Sequence, residues 1–68
     1  MKYDLVGIDG NAYSVMAYVA RAMEREGKSK EEIEAYYKDA KSSDYNHLLA
    51  VSFDMIDKLN AENESSDD

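Results

Sequence analysis

Apolar residues recur at helical spacing in three stretches of the chain. In residues 11–26 they fall at positions 12, 15, 16, 19, 20 and 23, and in residues 30–41 at positions 33, 36, 37 and 40. Residues 44–60 repeat the pattern at positions 48, 49, 55, 56 and 59, with a serine on the same face at 52. Such spacing places the apolar side chains on one side of a helix. The pattern predicts three helices, over about residues 11–26, 30–41 and 44–60.

The ends of the first two predicted helices carry recognisable capping residues. Asn11 is suited to the N-cap of the first helix, because its side-chain oxygen accepts a hydrogen bond from an amide of the first turn. Gly27 is suited to end the same helix, since it tolerates the left-handed backbone conformation that follows many helices. Ser29 and Glu32 have the spacing of a capping box, in which each side chain bonds the backbone amide of the other.

Both ends of the chain depart from the helical pattern. Residues 2–6 alternate weakly between apolar and polar, which is typical of an extended segment, and no second stretch resembles a strand. This arm, residues 1–10, either pairs with the arm of a second copy or crosses the helices irregularly. Residues 61–68 contain four acids and no base, which predicts a disordered acidic tail. The predicted fold class is mainly α, a single three-helix domain over residues 1–60 with a short extended N-terminal arm.

Composition and charge restrict the classes of partner. A chain of 68 residues forms one domain with a small core, and without cysteine no disulfide supplements that core. We therefore expect self-association, with a dimer favoured. The net charge is −7, or −3 once the four acids of the tail are set aside, which disfavours binding of nucleic acid. No apolar run is long enough to span a membrane and no cleavage pattern follows Met1, so we expect a cytoplasmic protein.

The predicted helix order brings two polar motifs together. Short connections make successive helices antiparallel neighbours, so the first and third helices begin at the same end of the bundle. That end receives the DGN motif, residues 9–11, and the DYNH motif, residues 44–47. Ser43 or Asp44 is the predicted N-cap of the third helix. A binding site at this shared end is the hypothesis that follows.

Known ligand motifs do not fit residues 9–11. A calcium loop with Gly10 at its sixth position would need oxygen ligands at Leu5 and Gly7, and a glutamate that the sequence lacks at the last position. A dinucleotide fingerprint needs three glycines in the G-x-G-x-x-G spacing, which is also absent. The plain interpretation is a helix start, with Asn11 or Asp9 as the cap and Gly10 in a backbone conformation that other residues avoid.

His47 and the six tyrosines supply the remaining candidate chemistry. His47 is the only histidine, and with no cysteine and no serine in a nucleophile-elbow pattern we expect no enzymatic activity. A zinc site built from one histidine and carboxylates would be unusual, so we expect neither a metal nor a cofactor. Six tyrosines against one phenylalanine and no tryptophan favour rings that are partly buried and partly wet, as at interfaces. The alternative is packing at the edge of a thin core.

Two motifs together resemble a known group of proteins. The segments DLVGIDGNAY, residues 4–13, and SSDYNHLL, residues 42–49, are similar to a D-L-V-G-x-D-G-N-A-F-like start and an S-G-D-Y-[DN]-H-L-L-like segment. Both occur in small phage, prophage and bacterial proteins of no established activity. This chain has Tyr13 where phenylalanine is usual and Ser43 where glycine is usual. The resemblance implies a phage-related or bacterial context and implies that the residues of the two motifs belong together.

The sequence thus predicts a small non-enzymatic protein-binding module, phage- or prophage-encoded and acting on a host protein. The alternative is a binder of a small ligand, a nucleotide or a metabolite, at the end of the bundle formed by residues 9–11 and 44–47. The candidate binding residues are Asp9, Asn11, Tyr13, Asp44, Tyr45 and His47. Structural roles are expected for Gly7, Gly10 and Gly27.

Overall fold

Three helices and an extended arm make up the fold. The computed structural model describes residues 2–65, with side chains as far as Asn63. The helices are α1, Ala12–Arg25; α2, Lys30–Ala40; and α3, Tyr45–Ser65. An irregular N-terminal arm precedes α1, and residues 2–65 contain no strand. The predicted three-helix fold with an N-terminal arm is confirmed, and every predicted helix boundary except the end of α3 lies within one residue of the observed one.

Local capping explains where α1 begins and ends. The Asn11 side chain accepts a hydrogen bond from the Ser14 amide at 2.9 Å, so Asn11 is the N-cap. After α1 the chain turns through Gly27, whose φ is 82°. The Lys28 amide donates to the carbonyl of Met23 at 3.0 Å. A left-handed glycine followed by this long bond is the Schellman motif, which satisfies carbonyls that the helix end leaves unpaired.

The starts of α2 and α3 are also fixed by side chains. Ser29 and Glu32 form both bonds of the predicted capping box, at 3.1 and 3.2 Å. At α3 the carboxylate of Asp44 accepts a hydrogen bond from the amide of His47 at 2.9 Å. Asp44, rather than Ser43, is therefore the cap of the third helix.

The end of α3 corrects the predicted boundary. The helix continues to Ser65 instead of ending near Asn60. The prediction of a disordered acidic tail is therefore wrong for residues 61–65, which are helical, while the rest of that predicted tail, residues 66–68, lies outside the described residues.

Contacts with the turn after α1 account for the longer helix. Lys28 Nζ lies 2.8 Å from Glu62 Oε1. Spacing in the sequence does not reveal this pair, because the two residues belong to different elements. Asn63 Nδ2 donates to Glu26 Oε2 at 3.0 Å. The two contacts hold the extra turn of α3 against the end of α1.

One cluster of buried side chains joins the helices and the arm. Its members on the helices fall on the predicted apolar faces except Ala22, which lies beside the predicted face of α1 and is also buried. A polar pair lies inside the cluster, where the hydroxyls of Tyr36 and Ser52 are 2.7 Å apart. Burial raises the pKa of Tyr36. The buried hydrophobic residues are Tyr3, Val15, Met16, Val19, Ala22, Met23, Tyr36, Ala40, Leu48, Ile56 and Leu59.

The arm lies between α1 and α3 and is bonded to both. The Tyr3 amide donates to Asn60 Oδ1 at 2.6 Å, and Asn60 Nδ2 donates to the Tyr3 carbonyl at 2.9 Å. The Asp4 amide donates to the Tyr18 hydroxyl at 2.9 Å. Of the two alternatives for the arm, the structure has the irregular crossing, with side chains satisfying the backbone groups that a lone strand leaves unpaired. Within residues 2–65 no helix combines the length and the apolar character needed to cross a membrane.

Candidate functional site

The N-terminal ends of α1 and α3 meet at one end of the bundle, as the helix order predicts. The Tyr45 hydroxyl, at the first residue of α3, donates a hydrogen bond to the carbonyl of Gly10, just before α1. A groove of about 310 Å³ lies at this end. We call it the end groove; the buried side chains of Met16 and Leu48 line it together with Ala12, Ala40, Tyr13 and Tyr45.

Three of the predicted site residues direct their side-chain oxygens at backbone amides. Asp9 accepts from the Asn11 amide at 3.2 Å, and Asn11 accepts from Ser14 at 2.9 Å. Asp44 accepts from His47 at 2.9 Å. These are the bonds of a turn and two helix caps, which agrees with the plain interpretation of residues 9–11. Because Asp44 already places a carboxylate at the start of α3, that helix end is poorly suited to a phosphate.

The conformational role expected of Gly10 belongs to Gly7 instead. Gly7 has a φ of 87°, whereas Gly10 has no positive φ. The prediction that Gly10 adopts an unusual backbone angle is therefore wrong. A Cβ built on Gly10 would lie 3.6 Å from the Tyr45 hydroxyl oxygen, which is an ordinary contact. What distinguishes Gly10 is its carbonyl, which ties the arm to α3 through Tyr45.

His47 contacts the end of α2 and does not line the end groove. Its Nε2 lies 2.9 Å from the Asp39 carbonyl oxygen, 3.1 Å from Asp39 Oδ1 and 3.2 Å from the Ser42 hydroxyl. A Ser-His-Asp relay needs the serine and the carboxylate on different ring nitrogens, whereas here every contact involves Nε2. The Ser42 hydroxyl itself donates to the Asp39 carbonyl at 2.7 Å. The cluster is therefore arranged to close the C-terminal end of α2.

The six tyrosines divide between the core and the surface. Tyr3 and Tyr36 are almost completely buried, as the core-packing alternative requires. Tyr13 is 82% exposed and Tyr45 is 43% exposed, and both line the end groove. A tyrosine that is mostly exposed beside an apolar groove has the arrangement found at interfaces.

The end groove is aromatic and apolar rather than ionic in character. One basic residue, Lys41, and one acidic residue, Asp44, are among its lining residues in the described part of the chain. Their charges offset each other, so the lining has no excess of either sign. Recognition at this surface would depend mainly on apolar contact, with the tyrosine hydroxyl of Tyr13 as a hydrogen-bonding group.

Sequence reasoning missed a second polar cluster, which holds the arm in place. The Tyr3 hydroxyl donates to Glu26 Oε2 at 2.6 Å, and this bond, followed by burial, raises the pKa of Tyr3. Asn60, which bonds both backbone groups of Tyr3, is only 8% exposed. One signal was present in the sequence, because Asn60 continues the apolar stripe of Ile56 and Leu59 at helical spacing. A polar residue on a buried stripe needs a hydrogen-bonding partner.

No group of three or more histidine, cysteine, aspartate or glutamate side chains is placed to hold a metal ion within the described residues. Comparison of the chain with protein-family models, with curated proteins and with solved structures found no match.

Proposed function

We propose that the chain is a non-enzymatic protein-binding module that binds its partner at the end groove. The observation that carries this proposal is the exposure of Tyr13, which is 82%, beside a groove whose base is apolar. Its hydroxyl has no hydrogen-bonding partner among the described residues. Tyrosine contributes strongly at protein interfaces because it offers a large rigid ring and a polar tip with few rotatable bonds.

The shape of the end groove also fits a protein partner. Its volume of about 310 Å³ suits a bulky apolar side chain of a partner, with Tyr13 and Tyr45 packing around it. Binding would bury the exposed rings and leave the capping bonds of Asp9, Asn11 and Asp44 intact. The resemblance to phage, prophage and bacterial proteins supports a host protein as the partner.

A pull-down with three folded baits tests the proposal. The baits are the wild-type chain, the Tyr13→Ser variant and the Phe53→Ser variant. Phe53 is 48% exposed on α3 and does not line the end groove, so its replacement is the matched control. We expect a protein from a bacterial lysate to be retained by the wild type and by Phe53→Ser, and to be lost with Tyr13→Ser. Equal retention by all three baits, or no retention above background, would contradict the proposal.

A small-ligand site in the same groove is the second candidate. The observation that favours it is the volume, which lies at the lower end of the range for small-molecule pockets. A ligand that binds only the folded state raises the melting temperature. A thermal-shift panel of nucleotides and metabolites therefore separates the two candidates. A shift that is present in the wild type and lost in Tyr13→Ser favours the ligand, while no shift with any compound argues against it for that panel.

A further inference from the structure

The groove between α1 and α3 recognises the arm mainly through its backbone. We call it the arm groove; its polar contacts come from Asn60, Tyr18 and Glu26. Asn60 bonds both the amide and the carbonyl of Tyr3, as a neighbouring strand would, and Tyr18 bonds the amide of Asp4. Glu26 accepts from the Tyr3 hydroxyl. The arm groove therefore selects an extended segment with a tyrosine anchor.

A tight turn, followed by residues 9–11, connects this segment to α1. The turn includes Val6, which is 82% exposed, and Gly7, whose φ is 87°. It is closed by a bond from the Ile8 amide to the Leu5 carbonyl at 3.2 Å. None of the arm-groove contacts involves this turn, so the same contacts form whichever copy of the chain supplies the arm.

We propose that the arm is exchangeable, so that the arm groove of one chain binds residues 2–5 of a second copy, and that reciprocal exchange produces a dimer. This proposal uses a different surface from the end groove and does not depend on it. Exchange preserves every contact between residues 2–5 and the arm groove and breaks only the bonds within the turn, which makes it a low-cost route to a dimer. It also supplies the self-association that the small core leads us to expect.

The length of the connection permits exchange. With the turn opened, the four residues 6–9 extend over about 13–14 Å at 3.3–3.6 Å per residue, while Gly10 and Asn11 keep their bonds to Tyr45 and Ser14. The opened connection therefore carries residues 2–5 out of their own groove toward a neighbour packed beside it. The equilibrium between the closed and the exchanged forms depends on the backbone strain of the turn and on the entropy that is lost on association.

Replacing Gly7 should shift the equilibrium from the closed form toward the exchanged form. A Cβ at Gly7 would meet no atom within 4 Å, so alanine there introduces no clash. Its left-handed φ is the sole source of strain, and the strain disappears when the turn opens into an extended connection. A non-glycine residue in the left-handed region is disfavoured by about tenfold per site. Because a dimer contains two opened turns, Gly7→Ala should strengthen dimerisation about a hundredfold.

Gly27 provides the matched control. Its φ is 82°, and a Cβ there would also meet nothing within 4 Å. Alanine at Gly27 introduces the same kind of strain, but at the α1–α2 turn rather than at the arm. Light scattering coupled to size-exclusion chromatography would be run over a range of concentrations on the wild type, Gly7→Ala and Gly27→Ala. We expect Gly7→Ala to be dimeric at concentrations where the other two are monomeric.

Two further measurements identify the dimer interface. Adding Tyr3→Ala to Gly7→Ala removes the anchor, and we expect the double variant to return to a monomer. Isotope-filtered NMR on mixed labelled and unlabelled Gly7→Ala chains should show contacts of the Asp4 amide with the Tyr18 ring of the other copy. This measurement needs no second substitution in the arm. A monomeric Gly7→Ala, a dimer formed equally by Gly27→Ala, or a dimer without these intermolecular contacts would overturn the proposal.

Discussion

Replacing Asn60 by alanine tests the structural role that sequence reasoning missed. The change removes the partners of the Tyr3 amide and the Tyr3 carbonyl together. Each buried group left without a partner costs about 1–3 kcal/mol, so a docked arm would lose about 2–6 kcal/mol. The arm has an alternative, which is to leave the groove and let water bond these groups. Undocking sacrifices the burial of the Tyr3 ring, at about 1.5–3 kcal/mol for a large side chain.

The variant adopts the less costly of these two states, so we expect Asn60→Ala to lower the free energy of unfolding by about 2–3 kcal/mol. A domain of this length has a stability of about 3–10 kcal/mol, which makes the loss a large part of the total. Urea unfolding measures the loss: with a slope near 1 kcal/mol per molar urea, the midpoint falls by about 2–3 M. Hydrogen exchange shows whether the arm is docked or undocked, because an undocked arm loses protection at the amides of Tyr3 and Asp4.

Asn63→Ala is the matched control, since it makes the same substitution one turn further along α3. Asn63 donates to Glu26 in a part-buried setting, where a typical hydrogen bond contributes about 0.5–1.5 kcal/mol. If Asn60→Ala were no less stable than Asn63→Ala, with the Tyr3 amide still protected, the reasoning about the arm would be refuted.

Three other predictions concern a cap, the buried hydroxyl pair and the tyrosine pKa values. Asn11→Ala should cost about 0.5–2 kcal/mol in urea unfolding, and a loss of partner binding at unchanged stability would instead assign Asn11 to the binding surface. Ser52→Ala should cost about 1–3 kcal/mol because it leaves the buried Tyr36 hydroxyl unpaired; adding Tyr36→Phe should recover part of that loss, and no recovery would contradict the pairing. The raised pKa values of Tyr3 and Tyr36 stabilise the fold fully below the unfolded value of about 10, and this stabilisation is lost as pH rises through the folded values. Absorbance titration should show two of the six tyrosines ionising late, and unfolding at increasing alkaline pH should show the loss.

Local signals in the sequence were sufficient for the helices and their order. Asn11, Gly27 and the Ser29–Glu32 pair act within a few residues of their own positions, so their roles could be predicted from spacing alone. The meeting of Gly10 and Tyr45 also followed, because short connections leave few arrangements for three helices. None of these inferences required a side-chain contact to be known.

The contacts that escaped prediction join residues far apart in the chain. Tyr3 and Asn60 are 57 positions apart, and nothing in either neighbourhood identifies the other. His47 lies at the shared end of the helices, as expected, but its ring bonds the Asp39 carbonyl at the end of α2 and does not line the end groove. The direction of a side chain from the first turn of a helix depends on packing, which periodicity does not specify. The special backbone angle was also assigned to the wrong glycine, Gly10 rather than Gly7.

The division of polar groups at the end of the bundle favours a protein partner over a cationic ligand. A cationic ligand would need the carboxylate of Asp44 or the oxygens of Asp9 and Asn11, and each already bonds a backbone amide. Recruiting them would break a cap, at about 0.5–2 kcal/mol each. Burying the ring of Tyr13 carries no such cost, since the ring is exposed and its hydroxyl has no hydrogen bond to lose among the described residues. Binding that buries Tyr13 over the apolar base of the end groove therefore gains contact without weakening the start of either helix.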